Sequence, residues 1–227
     1  MTRSKLRRAS SRKRKTSTTT RSKPPEAPAA DADGTPGAGV GARFARLRRP
    51  FPTHRRRFAL GLGSNLGNSR SLLEAALGRL EQALGPLTVA PLYLTEPVSS
   101  LPQPPFLNTV AIGHTALEAD ALLACTQRIE LEFGRERKVA DAPRTLDLDL
   151  LLLGDLIRTE ISPHLPHPRL RARRFVLAPL CDVAPDWPIP PDGATACDLL
   201  RALPEGPWVR RLPDRLELRT GPPGQSS

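Results

Sequence analysis

The stretch Pro143-Arg-Thr-Leu-Asp-Leu-Asp-Leu-Leu-Leu-Leu-Gly154 constrains the fold more than any other part of the chain. Its leucines are dense enough for a buried strand over residues 146–153. On a strand, residues two apart share a face and lie about 6–7 Å apart. Asp147 and Asp149 therefore point to one side, and Leu146, Leu148, Leu150 and Leu152 point to the other, into a core. Strands disfavour Asp. Two adjacent carboxylates on an apolar strand also repel each other and lose water. A divalent cation removes both penalties. Carboxylate oxygens suit Mg2+, which takes one or two carboxylates and completes its shell with phosphate oxygens and water. The bland alternatives are a solvated strand face or an Asp pair salt-bridged to arginines.

Two basic segments flank this strand. Gly134-Arg-Glu-Arg-Lys-Val-Ala-Asp-Ala-Pro-Arg144 carries Arg135, Arg137, Lys138 and Arg144 without apolar periodicity. Guanidinium groups grip phosphate oxygens bidentately, and Lys adds a point charge. Alone, such a run is a solvated loop; leading into an Asp pair, it suits a polyphosphate. His167-Pro-Arg-Leu-Arg-Ala-Arg-Arg-Phe175 offers one imidazole and four guanidiniums, a second anion contact. His164 and His167 make a poor metal pair, with Pro166 between them and no acid in step. The loop Gly61-Leu-Gly-Ser-Asn-Leu-Gly67 matches neither dinucleotide nor P-loop fingerprints. It reads as a tight strand-to-helix turn.

Charge must be divided by position. The 227-residue chain carries a formal +11. Residues 1–57 hold 17 Lys and Arg against three acids, a net of +14, while the remaining 170 residues hold 17 against 20, a net of −3. Residues 1–57 are low in complexity and are expected to be a disordered basic tail, with the folded domain at 58–227. The tail reads as a functionally minor solvated extension, a transit peptide, or sequence absent from the working protein. Aromatics are only 4%, too few for base-stacking platforms, so no nucleic acid is expected on the body. No run is long enough to span a bilayer. Cys125, Cys181 and Cys197 lack CxxC spacing and read as buried thiols in a reduced, cytoplasmic compartment.

Hydrophobic periodicity orders the elements. Residues 58–64 read as a strand, 69–84 as a helix, 87–95 and 106–114 as strands, 118–133 as a helix and 146–153 as a strand. A hairpin return at 155–159, a helical or irregular 175–183 and a short helix at 196–203 follow. Residues 97–105 form a Pro/Ser loop. This order implies an α+β fold, a ferredoxin-like sandwich with a mostly antiparallel sheet covered by helices.

The residues now match a known pattern. From about residue 59 to 190, the chain resembles the 6-hydroxymethyl-7,8-dihydropterin pyrophosphokinase family of folate biosynthesis. The marks are Leu62-Gly-Ser-Asn-Leu66, Phe106-Leu-Asn108, Thr126-Gln-Arg-Ile-Glu130, Gly134-Arg-x-Arg137, Pro143-Arg-Thr-Leu-Asp-Leu-Asp149, and Pro166-His167 followed by Arg173 and Phe175. The resemblance implies transfer of the β,γ-diphosphate of ATP to the pterin hydroxymethyl group, with AMP released. It implies that Asp147 and Asp149 hold two Mg2+ ions, and that Arg135, Arg137 and Arg144 contact phosphates from a loop. It further implies phosphate contacts by His167 and Arg173, and a nucleotide side that includes Gln127 and Glu130. Asn108 would bond the pterin edge, Phe106 and Phe175 would sandwich the ring, and Thr95 to Val98 would form a wall. Ala140 and Asp141 depart from the family loop, which often carries a basic residue and a Trp there. Pro168 stands where a Tyr can occur. A monomer with a single activity is expected. The rivals are a non-catalytic relative and an RNA-binding ferredoxin-like module.

Overall fold

The computed structural model describes residues 54–99, 101–135, 142–213 and 216. Expectations for residues 1–53, and for Arg137, Lys138, Ala140 and Asp141, lie outside the described residues. Strand β1 (Arg56–Ser64) opens the fold and takes in two residues assigned above to the tail. Helix α1 (Ser69–Leu84) follows, then β2 (Thr88–Val89), β3 (Tyr93–Thr95), β4 (Phe106–Thr115), α2 (Ala119–Glu132), β5 (Asp147–Leu153), a 3-10 turn (Leu170–Ala172), α3 (Arg174–Val183), α4 (Ala196–Ala202) and β6 (Val209–Arg211). The strands form one sheet in the order β5-β1-β4-β3-β6, with β2 also on β4. Every pairing among these strands is antiparallel. This is the expected α+β sandwich.

Local chemistry sets the element ends. Asn68 caps α1, its side chain accepting from the Ser71 N–H, and Gly85 stops it at φ 92°, a left-handed value that favours glycine. Thr195 and Asp198 form a capping box on α4. The expected strand over 87–95 is instead two short strands. Pro91 sits between them and has no N–H to give a ladder. The expected return at 155–159 is only a single bridge, Arg158 to Leu165, after a turn at Gly154. β6 was not anticipated.

Two cores lie on opposite sides of the sheet. Leu73, Leu77 and Leu80 of α1 and Leu122 and Ile129 of α2 pack with Leu60, Leu146, Leu148 and Leu150. On the other side Val176, Leu177 and Leu180 of α3 pack on Ala59, Val110, Leu151 and Leu152. Leu152 thus faces the aspartate side, against expectation. The register between β1 and β5 shifts at Ala59/Leu60, and such a bulge turns later side chains to the other face. Among the described residues no helix is long and apolar enough to cross a membrane.

A disulfide joins Cys181 to Cys197 at a Cα separation of 5.0 Å, correcting the expectation of three free thiols. Packing of α3 on α4 brings these residues together, which their 16-residue spacing does not reveal. Cys125 is free and half-buried.

Candidate active site

Helices α3 and α4 cover only part of their side of the sheet. Where the cover stops, a cleft of about 160 Å3 opens. Its floor follows from strand register. Asp147 pairs with Gly63, and Asp149 with Gly61. Gly63 pairs with Asn108, and Gly61 with Val110. Directly opposed residues in a ladder share a face, so two carboxylates at one end and Asn108 at the other flank two glycines. The glycines matter sterically: a Cβ on Gly63 would lie 2.6 Å from Asn108 Oδ1.

The two carboxylates share a face, as the spacing implied, and Leu148 between them is buried. They are ion-paired. Arg135 Nη1 lies 2.7 Å from Asp147 Oδ1, and Arg144 Nη1 lies 2.8 Å from Asp147 Oδ2. Arg173 Nη1 lies 3.2 Å from Asp149 Oδ2. Both the salt-bridged and the cleft-lining readings of the pair therefore describe this structure. Asp147 Oδ1 is buried and meets Arg135 as an ion pair rather than as a hydrogen bond. Two carboxylates side by side on one face over a bare glycine floor fit a hard divalent cation, which would take the place of the arginines on their oxygens. Among the described residues no three acidic, His or Cys side chains converge as a complete metal site. A cation here needs substrate phosphate and water for its remaining ligands.

The cationic side is built by three segments. Arg135 follows α2 and also pairs with Glu130, a residue only 2% exposed. The Glu130 carboxylate accepts the Leu148 N–H at 2.7 Å, so it ties Arg135 to the start of β5. Arg173 precedes α3, and Arg169 precedes the 3-10 turn. Both line the cleft. The His167 Nδ1 accepts the Arg169 N–H at 3.2 Å, which fixes the ring. Burial holds the His167 imidazole below its ordinary range; Asp149 opposes this, while Arg173 and Arg169 add to it. Burial, then the like charge of Arg169, lowers Arg173. Clustered cations that weaken one another favour a bound anion.

The rest of the lining is more apolar. Phe106 and Phe175 both line the cleft, with Thr95 and Val98. Asn108, 7% exposed, donates from Nδ2 to Thr95 Oγ1 at 2.7 Å. That bond turns Oδ1 toward the glycine floor as an acceptor. Arg173 lies over the Phe175 ring at 5.2 Å.

Of the residues singled out above, Thr95, Val98, Phe106, Asn108, Arg135, Arg144, Asp147, Asp149, Arg173 and Phe175 line one cleft. His167 sits at its edge, near enough to feel Asp149. Glu130 is behind the wall. Gln127 lies on α2 outside the lining, and Arg137 is outside the described residues. Sequence reasoning passed over Arg169, Gln103 and the floor glycines. Arg169 was visible in the basic cluster, and the glycines were legible only through register.

Residues 59–185 match the family described as 7,8-dihydro-6-hydroxymethylpterin-pyrophosphokinase (HPPK). The 2-amino-4-hydroxy-6-hydroxymethyldihydropteridine pyrophosphokinase of Pseudomonas aeruginosa is 43% identical over 160 residues, covering 69% of this chain and 97% of that protein. The enzyme of the same name from Bacillus subtilis is 42% identical over 127 residues, covering 55% and 75%. A solved HPPK-DHPS structure from Plasmodium falciparum, a triple mutant with pteroate, superposes with a TM-score of 0.53 at 15% identity. It covers 65% of this chain, which spans 43% of that one, and it speaks to fold alone. With the pattern of residues across the cleft and the match over 59–185 in agreement, this chain belongs to the 7,8-dihydro-6-hydroxymethylpterin-pyrophosphokinase family.

Proposed function

We propose that this protein transfers the diphosphate of ATP to 6-hydroxymethyl-7,8-dihydropterin and releases AMP, a step of folate biosynthesis. The observation that carries the reading is the row Asp147, Gly63, Asn108. On this reading the carboxylate end handles phosphate and the amide end reads the heterocycle, each one strand away from the glycine between them.

The reaction asks little covalent help of the protein. The pterin hydroxymethyl oxygen attacks the β phosphorus of ATP. The bond from that phosphorus to the oxygen bridging it to the α phosphate breaks, AMP leaves, and the hydroxyl proton passes to solvent. Positioning and charge neutralisation dominate such transfers. Asn108 Oδ1 accepts from the pterin edge, and the Phe106 and Phe175 rings hold its faces. Arg135, Arg144 and Arg173 pair with the aspartates, so their side chains already stand at the cleft floor. On binding the triphosphate they exchange carboxylate for phosphate oxygens. His167, Arg137 and Arg169 add to that side. Glu130 positions Arg135, and Gln127 belongs to the nucleotide side. Asp147 and Asp149 are the residues that would hold Mg2+, expected as two ions, which supplies neutralisation of polyphosphate charge.

Cytoplasmic residence and a monomeric state belong to the same reading. The Cys181–Cys197 bond weighs against a reducing compartment, where such bonds are rare. Thiol trapping in fresh cell extracts tests the first, and light scattering tests the second. For the reaction, ATP, Mg2+ and 6-hydroxymethyl-7,8-dihydropterin should give equal amounts of AMP and pterin diphosphate. AMP release that ignores the pterin would overturn the proposal. The non-catalytic alternative predicts losses at the acidic and basic positions, and those positions are filled.

A further inference from the structure

Asn65 directly follows β1, two residues past Gly63, and is 6% exposed. Its backbone N–H donates to the Arg144 carbonyl at 3.1 Å, and its Oδ1 accepts the Arg144 N–H at 2.9 Å. Its Nδ2 donates to Gln103 Oε1 at 2.9 Å and to the Pro104 carbonyl at 3.1 Å. One buried amide thus joins two segments that both supply residues to the cleft lining. One carries Arg144, paired with Asp147. The other carries Gln103 on the cleft wall and runs into Phe106.

We propose that Asn65 is a positioning residue that couples the phosphate side of the cleft to its pterin side. The inference rests on the function proposed above. When Arg144 leaves Asp147 for a phosphate, its backbone stays held by Asn65. Any shift of that backbone is passed to Gln103 and Pro104, next to the pterin wall. A pterin that sets the 103–106 segment in turn sets Arg144. Coupling of this kind is reciprocal in the two affinities. The position needs a side chain that both donates and accepts. Asp at 65 keeps the acceptor toward Arg144 but loses both donations, and turns a carboxylate toward the oxygens of Gln103 and Pro104.

The test is calorimetric. Affinity for 6-hydroxymethyl-7,8-dihydropterin is measured with and without the Mg2+ complex of a non-hydrolysable ATP analogue bridged by methylene between its α and β phosphates. Wild type, Asn65→Ala, Asn65→Asp and Gln103→Ala are compared in full-length protein. Wild type should show each ligand tightening the other by about 5- to 100-fold. In the Asn65 variants that factor should fall toward one, while the affinity for either ligand alone falls less. Gln103→Ala should lose part of it. A merely structural Asn would lower the melting temperature and both single affinities and leave the factor intact, which overturns the proposal. Should Asn65→Ala not fold, Asn65→Asp and Gln103→Ala decide. Wild type that binds neither ligand overturns the functional reading together with this inference. Wild type that binds both, with the factor unchanged in the variants, overturns this inference alone.

Discussion

Gly63 is where the geometry of the cleft floor can be tested most sharply. A Cβ there would stand 2.6 Å from Asn108 Oδ1, closer than real side chains come. Asn108 cannot swing away freely. It is 7% exposed and held by Thr95 at 2.7 Å. Gly63→Ala must therefore break that bond or bend the strand. A lost buried hydrogen bond costs about 1–3 kcal/mol, and overpacking costs a similar amount. Removing a strand glycine returns about 0.5–1 kcal/mol. The net loss is about 0–2.5 kcal/mol, a fall in Tm of roughly 2–4 °C per kcal/mol for a domain this size. Displacing Oδ1 also removes one acceptor from the pterin edge, a loss near 1.4 kcal/mol that raises the pterin KM about tenfold. The KM for ATP should move much less. Gly61→Ala is the stability control, because its Cβ would meet only Leu151 at 3.5 Å, an ordinary contact, and Tm should hold. Gly63→Ala with wild-type Tm and wild-type pterin KM would refute the reasoning.

Three further outcomes are expected. Asp149→Ala should abolish turnover and weaken binding of Mg2+–ATP in calorimetry, while pterin binding survives better; retained activity would contradict the metal role. Arg169→Ala should raise the KM for ATP about tenfold, the low end for a charge-assisted contact at an exposed position, with pterin KM and Tm unchanged. Cys197→Ser should lower stability by about 3 kcal/mol, the chain-entropy value for a loop near this 16-residue separation. Thermal unfolding with and without reductant checks it, and only wild type should respond to reductant.

The parts of the fold that the sequence made legible are those written as periodicity. Leu73, Leu77 and Leu80 announce α1 because the helical stripe is the core contact. Asp147 and Asp149 announce the cleft because strand alternation must place them together. What stayed hidden depends on partners distant in sequence. Leu152 changes sides through a bulge that no hydropathy pattern encodes. β6 is three residues long and exists by pairing with β3. Cys181 and Cys197 meet because α3 packs on α4. Gly61 and Gly63 fall in the strand read over 58–64 and lie inside β1, but their purpose appears only when register sets them between Asp147, Asp149 and Asn108. Asn65 likewise lies in a loop that matches neither the dinucleotide nor the P-loop fingerprint and stands out only through the family resemblance, although its four hydrogen bonds tie two cleft segments together.

The central claim is that the carboxylate end of the floor holds a triphosphate whose β phosphorus faces the pterin. ATP labelled with 32P at the β position tests it directly. With 6-hydroxymethyl-7,8-dihydropterin and Mg2+, the label should appear wholly in the pterin product, and the AMP should carry none. Label recovered in ADP would mean that only the terminal phosphate moves, and the account of this cleft would be wrong.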